Sequence, residues 1–295
     1  MVTAVYRQPV AVAVDGAVAL VANARGGSVS AVDVPGGRVL SEVAVGARAS
    51  DLTVVGGGRV LACDEVGGRL VLLRHDGGRL TSAGSVAVGT SPVCVRTSPD
   101  GTSAVVSLLW ARRVAVVSLA GDGPRVARTI DLPFAPRALQ WLPGERPRVL
   151  VADAFGGRLA VLDPAAGRVA SLRSVDGQAI GGLALSADGR RVLVSLSLLD
   201  ERLETTASHI SWGGVVSNLL REIAVDELLP ADGGPAVDGA GGADPTDRPV
   251  RHWTVDPLGE TGNGAADPAG VVALPAGGWA VALGGVGQVS VRRPD

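Results

Sequence analysis

Lysine is absent from this chain of 295 residues, whose 27 basic side chains other than histidine are all arginine. The arginines are scattered rather than clustered, so they read as a compositional bias and not as a basic patch. The net charge is −2, so no global positive field draws in a polyanion, and nucleic acid is not expected as a partner. Aromatic residues make up only 3%, so large rings do not build the core. Only two cysteines are present, Cys63 and Cys94, with no CxxC, CxxCH or zinc-type spacing around them. They are expected to be reduced, buried thiols on strands of neighbouring repeats, because buried cysteine behaves as a small hydrophobe. No GxSxG, HExxH, Walker A or GxGxxG motif occurs. The sequence therefore predicts no catalytic residue, no metal and no cofactor. Met1–Gln8 lacks the pattern of a secretory signal peptide and runs straight into the first repeat. The longest uncharged stretch, Pro268–Val291, is interrupted by Pro268, Pro275 and several glycines. It reads as two or three buried strands rather than a membrane span.

What the chain does contain is 46% hydrophobic residues, 42 glycines, and a repeat. Val18–Asp33 reads VALVANARGGSVSAVD, Val60–Leu73 reads VLACDEVGGRLVLL, and Val149–Asp163 reads VLVADAFGGRLAVLD. Each is a short apolar strand, a polar turn with Gly-Gly, and a second apolar strand. Ala104–Leu119 keeps this shape but puts Ala-Arg where the glycines stand elsewhere. The period of about 40–45 residues is that of β-propeller blades. Such a unit cannot bury both faces of its sheet alone and must pack against neighbours. The predicted fold is an all-β propeller of four-stranded blades, and six blades can be counted. Repeat one places strands at Val10–Val14, Val18–Ala22, Ser28–Val34 and Val39–Val45, with Asp15-Gly16 and Pro35-Gly36-Gly37 as turns. Repeat five starts with Gly182–Leu185 and Arg191–Ser197. Repeat six has Gly270–Leu274, Trp279–Leu283 and Gln288–Arg292. Val2–Arg7 would supply its missing strand by pairing with Gln288–Arg292 and removing an exposed edge. A seven-blade ring, or a piece of a larger one, is the alternative, because repeat five to repeat six spans about two periods.

Residues 1–295 thus read as one propeller domain with two excursions in the fifth blade. The first, 198–219, is a long loop between the blade's second and third strands, with one helical turn. The second, 226–249, is rich in Gly, Pro, Ala and Asp and reads as a mobile loop. Little helix is expected outside 198–219.

In a propeller, the turns between second and third strands share a face with the links that enter each blade. That face is the candidate binding surface. Its predicted residues are Arg48, Ser91, Arg137, Gln178 and Asp267 from the links. The first excursion adds Asp200, Glu204, Thr205, Thr206, His209 and Trp212. His75, beside Asp76, is expected to be a solvated turn residue.

The repeats and their Ser-Pro-Asp-Gly and Ser-Ala-Asp-Gly turns resemble YVTN-type propeller repeats. LETTASHISWGGVVSN and the later GNGAADPAGVVALPAGGWAVALGGVGQVSV resemble bacterial surface or periplasmic propeller proteins that continue into a di-haem cytochrome c peroxidase-like region. Thr205, Thr206, Trp212, Gly213, Asn263, Asp267 and Pro268 carry the match. No CxxCH motif is present, so the resemblance does not bring haem chemistry to this chain. What it implies is a monomeric, non-catalytic scaffold or interaction module, the propeller portion of a larger electron-transfer protein, in the periplasm or at the cell surface. Its partner would be another protein or a C-terminal region of the same polypeptide. A lactonase-like hydrolase working at the channel mouth is the rival reading, since propellers of this repeat type include lactonases.

Overall fold

The computed structural model describes residues 7–121, 123–211, 215–229, 247–250, 253–260, 263–264 and 266–293. They form six antiparallel blades, and the fold is a six-blade β-propeller. The chain divides into two compact units, Met1–Asp131 and Leu132–Asp295.

The first unit holds three blades. Blade one is β1 (Pro9–Asp15), β2 (Val18–Asn23), β3 (Ser28–Asp33) and β4 (Arg38–Ala44). Blade two is β5 (Ala49–Gly56), β6 (Arg59–Asp64), β7 (Arg69–Asp76) and β8 (Arg79–Ala87). Blade three is β9 (Pro92–Thr97), β10 (Ser103–Leu108), β11 (Arg113–Ser118) and β12 (Arg125–Asp131). Each sheet is a simple meander in chain order.

Strand periodicity explains how these sheets stack. Successive side chains point to opposite faces, so a strand apolar at every position feeds two cores. On β6, Val60 and Ala62 join Leu20, Ala22, Val29 and Ala31 of blade one. The intervening Leu61 and Cys63 join Val95, Ala104, Val106 and Ala115 of blade three. Full burial of each such Leu or Val contributes about 1.5–3 kcal/mol.

The second unit opens with blade four: β13 (Pro136–Leu142), β14 (Arg148–Asp153), β15 (Arg158–Asp163) and β16 (Arg168–Ser174). Blade five begins with β17 (Gln178–Leu185) and β18 (Arg191–Leu199). The helical turn α1 (Ala207–Ser211) follows, then β19 (Val216–Ala224) and a second turn, α2 (Val225–Leu228). The short β20 (Asp247–Pro249) leaves this blade and pairs in parallel with β16 of blade four. β21 (Trp253–Pro257) completes blade five against β19. A two-residue ladder, β22 (Gly259–Glu260) with β23 (Asn263–Gly264), leads to blade six. That blade is β24 (Pro268–Ala273), β25 (Trp279–Leu283) and β26 (Gln288–Arg292). Here again one strand serves two cores. Val192, Val194 and Leu196 of β18 pack with Leu150, Ala152, Leu159 and Val161 of blade four. Leu193 packs with Trp279, Val281 and Leu283 of blade six.

Two expectations change, and one lies mostly outside the described residues. The first excursion is shorter than 198–219, because β18 and β19 run on and pair as far as Leu199 with Val216. Helix outside it is confined, among the described residues, to the single turn α2, in keeping with the little helix expected. That turn is held by distant contacts rather than by propensity: Val225 and Leu228 are buried. The Ser171 hydroxyl donates to the Leu228 carbonyl at 2.8 Å, and Arg173 donates to those of Glu227 and Leu229 at 2.9 and 2.8 Å. Within 226–249, β20 is a fifth strand for blade four, which the composition of that stretch gave no reason to expect; residues 230–246 lie outside the described residues. The predicted closing strand lies mostly outside them too, since residues 1–6 are not described. Arg7 belongs to the link into blade one. Its carbonyl accepts the Arg25 N–H at 3.1 Å, and its Nε stands 2.9 Å from a Glu42 carboxylate oxygen.

Candidate functional site

A backbone tie repeats at one edge of the blades. In the first unit the Ala24, Glu65 and Leu109 N–H groups donate to the carbonyls of Gln8, Arg48 and Ser91 at 2.9, 2.9 and 3.0 Å. In the second, Ala154 and Gly284 donate to Ala135 and Asp267 at 2.8 and 2.9 Å. Antiparallel order is the cause: a blade's first strand starts where its second ends and its third begins. The entering link and the turn between second and third strands therefore meet at one edge. Within each unit, this edge is the one on which the sequence placed its candidates.

In the first unit, Arg48 is exposed and its Nε lies 2.9 Å from a Glu65 carboxylate oxygen. A surface pair of this kind contributes about 0–1 kcal/mol, so it orients the guanidinium more than it stabilises the fold. Ser91 is half-buried in the left-handed region, at φ 52°, immediately before Pro92. In the second unit, Asp267 is exposed with φ 54° before Pro268. Arg137 and Gln178 are exposed as well, but they lie on β13 and β17 rather than in the links where the sequence put them.

The excursion between β18 and β19 is tied at its base, where the Asp200 N–H donates to the Val215 carbonyl at 2.9 Å. Arg202 closes on Asp200 bidentately, Nε on Oδ1 and Nη2 on Oδ2, both at 2.9 Å. Those hydrogen bonds from Arg202 hold the Asp200 carboxyl below its usual range. The Thr206 hydroxyl accepts the His209 N–H at 3.2 Å. His209 Nδ1 lies 2.8 Å from the Glu204 carbonyl oxygen, so this ring nitrogen donates and is engaged within the loop. Glu204 and Thr205 are exposed. Trp212 and Gly213 lie outside the described residues.

His75 is corrected. It is the penultimate residue of β7 rather than part of a solvated turn, with its side chain 9% exposed and Nε2 2.9 Å from an Asp15 carboxylate oxygen of blade one. Packing between blades, not local sequence, buries it.

Sequence reasoning missed three features. Asp51 is buried and accepts both the Val95 N–H at 2.9 Å and Arg96 Nη1 at 2.6 Å, which ties blade two to blade three. Arg221 on β19 is buried, 3.6 Å from Asp176; burial pulls its guanidinium below the usual range and Asp176 opposes this. The third is the blade-three turn. Gly27 and Gly68 stand just before β3 and β7 at φ 57° and 64°, whereas the same place before β11 holds Arg112 at φ 52°. A side chain in that conformation costs about 1–2 kcal/mol. Two residues earlier, Trp110 is 64% exposed. The missing glycines were visible in the sequence; the strain and the exposure were not.

Both cysteines are free and buried. Burial first, then the negative charge of Asp51, pushes the Cys63 thiol well above its ordinary range. Native protein should therefore react negligibly with a disulfide reagent such as DTNB, while denatured protein should release two equivalents. Prompt native reaction, or a linked Cys63–Cys94 peptide in non-reduced mass spectra, would overturn this. Among the described residues, no group of three or more His, Cys, Asp or Glu side chains is arranged to hold a metal, and no helix is long and apolar enough to cross a membrane.

No family model matches the chain, and no curated protein matches it in sequence. Solved structures do. Kuenenia stuttgartiensis hydrazine synthase is 20% identical with a TM-score of 0.78, over 98% of this chain and 78% of that one. A candidate 6-phosphogluconolactonase from Bacteroides fragilis is 16% identical with a TM-score of 0.64, over 97% and 80%. The Myceliophteria thermophila Cps50 (Swd1) β-propeller domain is 12% identical with a TM-score of 0.63, over 97% and 84%. Proteins with such different names share little beyond backbone, so what these likenesses establish is the β-propeller fold.

Proposed function

We propose that this chain is a non-catalytic propeller that binds a protein partner, or a C-terminal region of the same polypeptide, through the blade edge that carries the turns between second and third strands. The observation that carries this reading is the fifth-blade excursion. It replaces a short turn with sixteen residues, Asp200–Val215, and among its described residues Asp200, Arg202, Thr206 and His209 hydrogen-bond within the loop. Ordered loops on a rigid scaffold are common recognition elements. The fold itself supports a scaffold role, and the resemblance of the repeats to YVTN-type surface and periplasmic propellers supports a place in a larger electron-transfer protein.

The rival reading is a lactonase-like hydrolase, favoured by the backbone likeness to the Bacteroides protein. Against it, Asp200 is paired with Arg202, and one His209 nitrogen is already bonded to a carbonyl. A general base needs a nitrogen or carboxylate aimed at a substrate proton. Purified protein is expected to show no turnover of lactones or peroxide, with or without added divalent metals. Turnover that disappears in Glu204→Ala or His209→Ala would replace this reading with an enzyme. Exchanging the excursion for the Gly-Gly turn of blade four should leave melting nearly unchanged and abolish partner capture.

A further inference from the structure

The blade-three turn departs from those of blades one, two and four in two ways: it lacks the Gly-Gly pair, and it holds an arginine in a backbone conformation that favours glycine. Its Trp110 is exposed, as is Phe155, 58% exposed, at the same place in the blade-four turn. A lone exposed apolar side chain is ordinary on a protein surface. Here Trp110, 64% exposed, is joined at the same edge by Val66, 70% exposed, at the tip of the blade-two turn. Arg48 is anchored by Glu65 and Arg113 by Asp131. Arg112 has no ion-pair partner among the described residues, and it is exposed on the same turn as Trp110.

We propose that this turn docks an acidic peptide segment of a partner protein that carries one large apolar anchor. Trp110 covers the anchor, and Arg112, two residues along the same turn, pairs with a neighbouring carboxylate. Tryptophan and arginine are the residues on which interface energy concentrates, and a guanidinium matches a carboxylate with two parallel hydrogen bonds. Nucleic acid fits less well. It calls for a continuous basic track, whereas most arginines of this edge are already paired with carboxylates and the chain is net negative. The proposal rests on the reading of the chain as a binding module, but it concerns a different element from the fifth-blade excursion.

The full chain is panned against a phage-displayed library of short random peptides. The enriched peptides are then synthesised and titrated by fluorescence anisotropy. Enriched sequences should be net acidic with one aromatic or leucine anchor. Trp110→Ala and Arg112→Gly should each weaken their binding by at least about tenfold. Arg112→Gly should also raise the melting temperature, because glycine suits the left-handed backbone; loss of binding in a more stable protein cannot be misfolding. No enrichment, enriched peptides without acidic character, binding unchanged in either variant, or displacement by duplex DNA at low concentration would overturn the proposal. So would concentration-dependent self-association abolished by Trp110→Ala, which would make a second copy the occupant. Partner capture that survives Arg112→Gly but is lost with the excursion would sink this site and leave the binding-module reading standing.

Discussion

Replacing Leu61 with alanine is expected to lower the unfolding free energy by about 2–5 kcal/mol, the range for emptying a fully buried leucine site. Leu61 is wholly buried and packs into the core shared by blades two and three. Its neighbours on β6, Val60 and Ala62, face the opposite core. β6 is hydrogen-bonded on both sides, to β5 and β7, so the backbone has little freedom to collapse into the space left. Val66→Ala is the control. That side chain is 70% exposed at a turn, and its loss should shift stability by no more than about 0.5 kcal/mol. Urea unfolding followed by circular dichroism distinguishes the two. A Leu61→Ala protein as stable as its parent would mean that blades two and three do not share a packed core.

The second large effect is expected at Gly27, where alanine should cost about 2–4 kcal/mol from two causes. The backbone there has φ 57°, which L side chains rarely adopt, and a Cβ would overlap the Gly46 carbonyl oxygen. That overlap arises because the Gly27 carbonyl accepts the Val45 and Gly46 N–H groups at 2.8 and 3.1 Å, which draws the end of blade one tightly over the turn. Gly37→Ala separates the causes. It has φ 60°, but nothing lies within 4 Å of where its Cβ would stand, so it should lose only about 1–2 kcal/mol. Equal losses at the two sites would show that the close approach contributes nothing. The same reasoning applies to Arg112, which occupies the corresponding turn position with a side chain and is the reason Arg112→Gly should stabilise.

Most of the architecture was legible because it is written in strand alternation and turn chemistry. Gln288–Arg292 was read from sequence with the bounds it has in the fold. The Ser-Pro-Asp-Gly turn also works as its residues suggest. Ser98 Oγ donates to Asp100 at 2.5 Å, the Thr102 N–H donates to the same carboxylate at 3.0 Å, and both hold the Asp100 carboxyl below its usual range. The candidate site was legible as an edge, since antiparallel order alone brings Arg48 to the Glu65 turn and Asp267 to Gly284. It was not legible as a set of contacts. Nothing near His75 announces Asp15, which lies sixty residues away. Nothing in the Gly- and Asp-rich stretch before Pro249 announces a strand on blade four.

The sequence by itself therefore determined the six blades, the two buried thiols and the place where the fifth blade departs from the repeat. These follow from side-chain alternation, glycine turns and burial of small hydrophobes, all of which act over a few residues. Only the tertiary structure decided that His75 pairs with Asp15, that Asp51 joins blade two to blade three, that α2 forms under β16, and that Arg112 is strained beside an exposed Trp110. Each depends on which distant segment packs against the residue, and a local pattern holds no record of that neighbour.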